Sequence, residues 1–382
     1  MKKALNYFLI TMVILHVFLG TWWLAVSWAV ALGIYWICTS LSTAAVKFRQ
    51  CALLSYPLLI IGSVVAAIFF KTLFFGIYKI PSGSMENTIS TGDVVWVNNL
   101  VYGPRLPYSP YEISWVNVLI WLWEGKEGDV KKRWWKYNRL KGYASPKNGQ
   151  VAVFNHPHSG DIFIKRIAAI PGDTLQIIEG TLYINGRKKE APSNAIFYSK
   201  ALFSNSREGN EILDSLNISM FHHYATNESV TFNGHLTPSD LKNLRMHPRV
   251  LEAGIDPVRP DTAWTVYPWS EALNWNIDNY GPYILPYSGM AIEKNVHNLS
   301  VYGHLINEEA QDGAQSDSDD SKVFVFKHDY YFLMGDNFHD SQDSRYFGPV
   351  REEYIIGKAS FIFYSNSKKQ TNRFRLFRLL GS

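Results

Sequence analysis

Cysteine is almost missing from this chain. Cys38 and Cys51 are the only two in 382 residues, and none follows position 51. A disulfide framework for the rest of the chain is therefore excluded. The 11 histidines offer no replacement. His156 and His158 flank a proline and His222 and His223 are adjacent, and without cysteine nearby neither spacing makes a zinc site. No metal and no cofactor is expected. Charge of one sign is equally scarce. Lys and Arg number 37 against 33 Asp and Glu, a net charge of +4, which is too mild to argue for nucleic acid. Helical patterning is sparse beyond residue 78, and there is no internal repeat. What the chain has in quantity is apolar and aromatic surface: 47% hydrophobic residues, with 13 Trp, 22 Tyr and 22 Phe. That density suits large β-sheets and also membrane interfaces, where an apolar ring with a polar handle is favoured.

The apolar residues gather first at the N-terminus. Residues 4–40 are almost continuously apolar, and a second run extends from Cys51 to Tyr78, broken only by Lys71. One bilayer crossing needs roughly 20 residues, so the first run exceeds a single span. Its length, and the second run behind it, argue against a cleavable signal peptide. Residues 1–78 are expected to form a membrane anchor of two or three transmembrane segments. The positive-inside rule puts Lys47 and Arg49 in the cytoplasm. Two crossings within 4–40, turning near Gly20 and Thr21, keep Lys2 and Lys3 inside as well. On either count the last span delivers the chain to the outer side of the membrane near Tyr78.

From Pro81 onward the pattern predicts a mainly β fold built on an antiparallel sheet. Val94–Val97, Val151–Phe154, Ile162–Ile164, Val323–Phe326 and Tyr330–Leu333 are short β-branched or aromatic runs bounded by turn residues. Thr174–Ile184 reads as two strands around Glu179-Gly180, with a second turn at Asn185-Gly186. A short helix is expected over Ser239–Arg245, capped by Ser239, and a mobile acidic loop over 308–320. The expected organisation is a divided catalytic core, 79–174 and 323–382, with a smaller β-rich domain, 175–322, inserted between its halves. Between 111 and 140, Trp115, Trp121, Trp123, Trp134 and Trp135 mingle with Lys131, Lys132, Arg133, Lys136 and Arg139. That mixture fits either packing beneath a charged loop or contact with anionic lipid. The tail from Arg373 to Leu379 alternates Arg with Phe and Leu in the same manner.

Four blocks carry chemical signal: Ile80-Pro81-Ser82-Gly83-Ser84-Met85; Asp161 through Lys165-Arg166 to Pro171-Gly172-Asp173; Gly335-Asp336-Asn337 through Asp343-Ser344-Arg345; and Thr91–Val97 with Tyr102–Pro107 behind it. Each alone is weak, since a serine in a Gly/Pro turn is usually only a turn. Together and in this order they resemble the bacterial type I signal peptidases. The resemblance implies a Ser/Lys serine endopeptidase on a β-rich domain behind membrane anchors. It would remove signal peptides from exported preproteins at the outer surface of the cytoplasmic membrane, with preproteins and membrane lipid as partners. It implies Ser84 as nucleophile, Lys165 as general base, and Ser82 with the Ser84 N–H as oxyanion hole. Ser341 would position the lysine amine, and Asp343 and Arg345 would form an ion pair beside the site. Ile80, Pro81, Met85, Ile89 and Ile164 would line shallow pockets for small side chains. Asn274–Pro282 is similar to a stretch in long variants of the family.

Elementary chemistry is consistent with these roles. A serine hydroxyl attacks well only when a base takes its proton, and a lysine serves as that base only once burial lowers its pKa. Ile162, Phe163, Ile164 and Ile167 surround Lys165 in sequence. The chain departs from the family at Asn87, where proline is usual, and at Phe338-His339-Asp340, where Arg-Asp-Asn is usual. The first departure is expected to loosen the turn after Ser84. The competing readings are a catalytically inactive membrane-tethered scaffold for export factors, a soluble-type Ser/Lys autoprotease, and His339 as base in place of Lys165. Retention of Ser84, Lys165 and Ser341 argues against the first. The apolar anchors argue against the second, and Lys at position 165 against the third.

Overall fold

The structure, a computed structural model, describes residues 2–18, 28, 29, 32, 33, 73–112, 120–123, 125, 134–226, 228–256, 266–311, 322–365 and 377–380. Most of the two apolar runs, both cysteines, Lys47 and Arg49, Trp115, Lys131–Arg133, Arg373 and Arg375 lie outside the described residues. Helix α1 (Lys2–Phe18) forms the start of the first run. Among the described residues, no helix is long and apolar enough to cross a membrane.

The chain divides into two compact units. The first comprises Met1–Gly76, Val97–Ser145 and Ile356–Lys358. Within it the Tyr102–Pro107 block lies along residues 138–144. Leu106 N–H donates to Asn138 O (2.9 Å), Leu140 N–H to Pro104 O (3.0 Å) and Ala144 N–H to Val101 O (2.8 Å). The approach is close enough to require glycine. Gly103 has φ +88°, and a Cβ on it would stand 1.9 Å from Leu140 O. This block therefore holds local structure. Trp121, Trp134 and Trp135 are about half exposed and Trp123 nearly fully so, so they are not buried beneath the charged residues.

The second unit, Ile77–Trp96, Pro146–Ile355 and Ala359–Ser382, is the larger. Strands β1 (Phe75–Lys79) and β2 (Val94–Asn98) lead into and out of the Ser84 loop. β3 (Val151–Asn155) and β4 (Ile162–Ala169) form a hairpin that pairs Ala152 with Lys165. β5 (Thr174–Ile178), β6 (Thr181–Ile184) and β7 (Arg187–Lys188) follow as tight hairpins. Glu179, Gly180, Asn185 and Gly186 all have positive φ, as two-residue turns matched to the strand twist demand. β8 (Phe197–Phe203), β9 (His222–Ala225), β10 (Val230–Leu236) and β11 (Glu252–Ile255) form a four-stranded sheet in the order β11-β8-β10-β9. β12 (Tyr280–Ile284) joins β5, and β13 (Ala291–Glu293) pairs with β14 (Val323–Val325). β15 (Tyr330–Met334) lies between β4 and β16 (Val350–Arg351), and β17 (Ile355–Tyr364) pairs with β18 (Arg378–Leu379). The expected strands are all present, and β4 continues past Ile164 to carry Lys165.

Helices are where the sequence reading falls short. α2 (Ser206–Ser215) and α3 (Pro238–Met246) pack on the β8–β11 sheet through Ile212, Leu213, Leu241 and Leu244 against Phe203 and Phe232. α4 (Val296–Gln311) buries Val301, Tyr302, Leu305 and Ile306. α5 (Ser344–Phe347) is a single turn. Residues 175–322 thus mix helix and strand. α2 escapes notice because its apolar contribution is only two adjacent side chains. Residues 308–311, expected within the acidic loop, are the last turn of α4. Glu309 there is buried, accepting from Lys327 N–H and from the Tyr330 hydroxyl, both at 2.9 Å; the rest of that loop lies outside the described residues. The cap of α3 is Thr237 rather than Ser239. Pro238 takes the first helical position, and Thr237 and Asp240 exchange bonds in a capping box. A second cluster, with Leu175, Tyr267, Tyr280, Tyr283, Tyr302, Phe326 and Phe332, forms the main core.

Thr237→Ala removes the cap acceptor and should lower stability by about 1 kcal/mol, read as a fall in Tm. An unchanged Tm would show that the cap does not belong to the cooperative fold.

Candidate active site

Ser84 sits in a loop closed at its neck by Ile80 N–H to Asp93 O (2.9 Å) and Gly92 N–H to Ile80 O (2.8 Å). Inside it the chain makes successive tight turns. Glu86 N–H donates to Gly83 O, and the N–H groups of Thr88 and Ile89 both donate to Met85 O. Met85 and Ile89 are fully buried and root the loop. The Ser84 N–H has no acceptor among the described residues.

The amine of Lys165, from the middle of β4, is hydrogen-bonded to Ser84 Oγ across 81 positions of sequence. Pleat alternation sets this up, since 163, 165, 167 and 169 share one strand face. Lys165 is 3% exposed and Ser84 8%. The Phe163 ring lies 5.7 Å from the amine. Burial lowers the Lys165 pKa from 10.5 to about 8; Asp343 draws it back up, and the Arg345 guanidinium pushes it down with the burial.

The Gly335–Arg345 segment clamps this pair from one side. Asn337 donates its N–H to Ser84 O (3.1 Å) and its side-chain amide to Gly83 O (3.2 Å). Asp336 accepts from the Thr88 hydroxyl (2.6 Å) and takes Arg166 in a two-point ion pair (2.8 and 2.6 Å). Gly335 is obligatory, because a Cβ there would lie 2.2 Å from Ser341 Oγ and 2.5 Å from Ser84 O. Asp343 and Arg345 are fully buried and joined at two points, 2.9 and 2.8 Å. Burial alone would raise the Asp343 carboxyl, but Arg345 and the Gly335 N–H outweigh it and hold it below its ordinary value.

The structure thus brings together Ser84, Lys165, Asp343 and Arg345, with Ser341 packed against Gly335. Ser341 Oγ is buried and makes no hydrogen bond among the described residues, so the expected bond to the Lys165 amine is not formed. Ser82 and Pro81 are exposed, while Ile80 and Ile164 are buried near the surface. A cleft of about 990 Å³ opens beside Thr88, Arg166, Asp336, Phe338, Lys242 and Arg245. It lies on the Arg166 side of β4 and is lined by none of the five residues expected to form substrate pockets. Sequence reasoning missed Thr88, Arg166 and Asn337 as members of the clamp. For Arg166 and Asn337 the one pointer was their place inside the quoted blocks; Thr88 lies between two of them and had none.

Asn87 corrects another expectation. Its φ is +66°, a left-handed conformation that asparagine tolerates and proline, fixed near −65°, cannot adopt. The turn here is a different one from a proline turn, not a looser version of it. Asn87→Pro should cut activity at least roughly tenfold and destabilise the chain by about 1–3 kcal/mol, whereas Asn87→Gly should stay within about threefold of wild type. A fully active Asn87→Pro enzyme would show that the left-handed turn is dispensable.

The model for "Signal peptidase, peptidase S26" matches residues 53–236 and 281–364. The signal peptidase I of Buchnera aphidicola subsp. Baizongia pistaciae is 26% identical over 82% of this chain and 76% of its own length. That of Buchnera aphidicola subsp. Schizaphis graminum is 25% identical over 77% and 69%. The Aquifex aeolicus signal peptidase I is 26% identical over 79% and 80%. With the family's model matched across well over half of its residues, this chain belongs to the signal peptidase family, serine endopeptidases that cleave the signal peptides of preproteins.

Proposed function

We propose that Ser84 is the nucleophile and Lys165 the general base of a membrane-anchored signal peptidase. The observation that carries this is a buried lysine amine on a serine hydroxyl, held by its surroundings at a pKa near 8. In the neutral form, the Lys165 amine takes the Ser84 Oγ proton as Oγ bonds to the scissile carbonyl carbon. The charge that develops on the carbonyl oxygen meets the unengaged Ser84 N–H and the Ser82 hydroxyl. Collapse of the tetrahedral species breaks the C–N bond, and the Lys165 ammonium returns its proton to the leaving amine. Water, deprotonated by the same amine, then releases the acyl group and restores Ser84. Asp343 and Arg345 act on the amine as opposing charges, and a rotation of the unpartnered Ser341 hydroxyl would give the amine a second contact.

Substrate would lie against Ile80, Pro81 and Ile164, with Met85 and Ile89 forming the wall behind them. Such shallow apolar surfaces accept small residues one and three positions before the scissile bond. The apolar runs 4–40 and 51–78 anchor the enzyme, with the catalytic unit on the outer, periplasmic side. A signal peptide's apolar core in the bilayer puts its cleavage site at the membrane surface, the height at which a loop just after the last span lies. An aromatic group supports contact with lipid: Trp96 stacks on Phe361 at 5.6 Å, and the exposed rings of Phe363 and Phe377 lie beside them.

Ser84→Ala and Lys165→Ala should each abolish precursor cleavage while leaving a folded, membrane-bound protein, because the two act as one unit. The kcat/KM for a peptide with Ala at both positions should rise with pH through about 8, as Lys165 loses its proton. Full activity in either variant, or a limb at the unperturbed lysine value near 10.4, would refute the dyad. Protease added to intact spheroplasts should digest the chain after Tyr78. Protection until the membrane is broken would overturn the topology.

A further inference from the structure

The residues after Asn337 depart from the pattern expected from the resemblance, and each of the first two is held by specific contacts. The Phe338 ring lies under the Arg345 guanidinium at 4.0 Å and packs on Phe197 at 5.3 Å, while its carbonyl accepts from Arg345 Nη2. His339 is bonded through both ring nitrogens. Tyr198 N–H donates to Nδ1 at 3.0 Å, which leaves that nitrogen bare and puts the ring proton on Nε2. Nε2 then donates to Asp278 Oδ1, also at 3.0 Å. The Asp278 side chain is completely buried and that of His339 nearly so. Asp278 is itself fixed, since its N–H and that of Asn279 donate to Asn276 Oδ1 and its carbonyl accepts from Gly180 N–H. Alongside, Ile196 N–H donates to Asp336 O (2.7 Å) and Phe338 N–H to Ile196 O (2.8 Å), a parallel bridge across Asn337.

These bonds converge on one residue. Asn337 holds the carbonyls of Gly83 and Ser84, and on each side of it the backbone is gripped by Ile196. One residue further on, His339 is locked between Tyr198 and Asp278. We propose that His339 is a positioning residue: tied to Asp278 and Tyr198, it holds the Asp336–His339 segment in register, and Asn337 passes that register to the Ser84 turn. Tyr198 and Asp278, from the region between 175 and 322, thereby help to align Ser84 and Lys165. This rests on Ser84 being the nucleophile. The effect is one of alignment, so it falls on kcat. A displacement of about 1 Å at a reacting atom can cost roughly a hundredfold in rate.

The test compares detergent-solubilised full chains of wild type, Ser84→Ala, His339→Ala, His339→Gln, Asp278→Asn and Thr237→Ala. Each is read by kcat and KM on a precursor peptide, by Tm, and by amide hydrogen exchange over residues 335–338. His339→Ala should lower kcat roughly 10- to 100-fold, leave KM within about threefold, and speed exchange across 335–338. His339→Gln keeps a donor toward Asp278 and should recover much of both. Thr237→Ala, in the same region but away from the Ile196 bridge, should lose Tm without losing kcat. A His339→Ala enzyme within about twofold of wild-type kcat overturns the proposal, as does exchange unchanged over 335–338. So does a Thr237→Ala enzyme that loses kcat in proportion to Tm. Where His339→Ala fails to fold, His339→Gln and Asp278→Asn decide, and wild-type kcat and exchange in both overturn it. Cleavage retained by Ser84→Ala would instead refute the nucleophile assignment, which the exchange measurement does not depend on.

Discussion

The structure turns on an unfavourable act: taking the amine of Lys165 out of water and laying it against a serine hydroxyl. A lysine in solvent keeps its proton at every physiological pH; here burial is the main force that changes that, with the Arg345 guanidinium adding to it. The cost appears in stability. The folded chain releases the Lys165 proton near pH 8 and the unfolded chain near 10.5. Between these values the unfolded state binds more protons, so stability rises with pH through that window. Below pH 8 the penalty is fully present, on the order of 3 kcal/mol. A domain with a typical margin of about 5–15 kcal/mol can carry this, but only if the surrounding fold is firm enough not to let water back in.

Firmness comes from pieces that would be costly if left incomplete. Asp343 and Arg345 are fully buried, and a buried ion pair is stabilising only when its remaining hydrogen-bonding capacity is also used. Here Asp343 caps α5 and accepts from Gly335 N–H, while Arg345 donates to Phe338 O and rests on the Phe338 ring, so that among the described residues only its Nη1 is left without a hydrogen-bond partner. Asp336 does the same nearer Ser84, tying Arg166 to Thr88. Because the pleat sends Lys165 and Arg166 to opposite faces of β4, one strand presents the desolvated amine on one side and is bolted to Asp336 on the other. A backbone shift that drew Lys165 away from Ser84 would also pull Arg166 from Asp336.

Much of this was legible in the sequence, for reasons that are local. Strands written in β-branched and aromatic runs, and an Asn-Gly turn between two of them, specify themselves. Ser84 and Lys165 became visible because the blocks around them occur together and in a given order. What was not legible depends on contacts or conformations that short-range pattern does not encode. Arg166 and Asp336 are 170 positions apart, and nothing in either neighbourhood announces the other. The left-handed Asn87 has no signature, since asparagine occupies right- and left-handed turns alike. α2 contributes two adjacent apolar side chains, too few for a helical period to stand out. Glu309 reads as one more acid in a polar stretch until Tyr330 and Lys327 are seen to converge on it.

The departures at 338–340 show how a local anomaly can be the trace of a distant one. In isolation, Phe338 and His339 look like losses of polar side chains from a functional block. In the fold, Phe338 covers the buried guanidinium whose charge helps keep the Lys165 pKa down, and packs at a tilt on Phe197 at the start of β8. His339 reaches Asp278, from the Asn274–Pro282 stretch. The Phe338 ring touches both the Arg345 guanidinium, at 4.0 Å, and the Phe197 ring, at 5.3 Å. A histidine fixed at Nδ1 needs an acceptor at Nε2, or it leaves a buried N–H unsatisfied at a cost of about 1–3 kcal/mol. Each of these two side chains thus has a partner in the 175–322 region. Removing His339 or Asp278 alone would take from the other, buried beside the Ser84 turn, the partner it has in this bond. The 175–322 region and the Gly335–Arg345 segment thus meet at Phe338 and His339, within two residues of the Asn337 that bonds to the Ser84 turn.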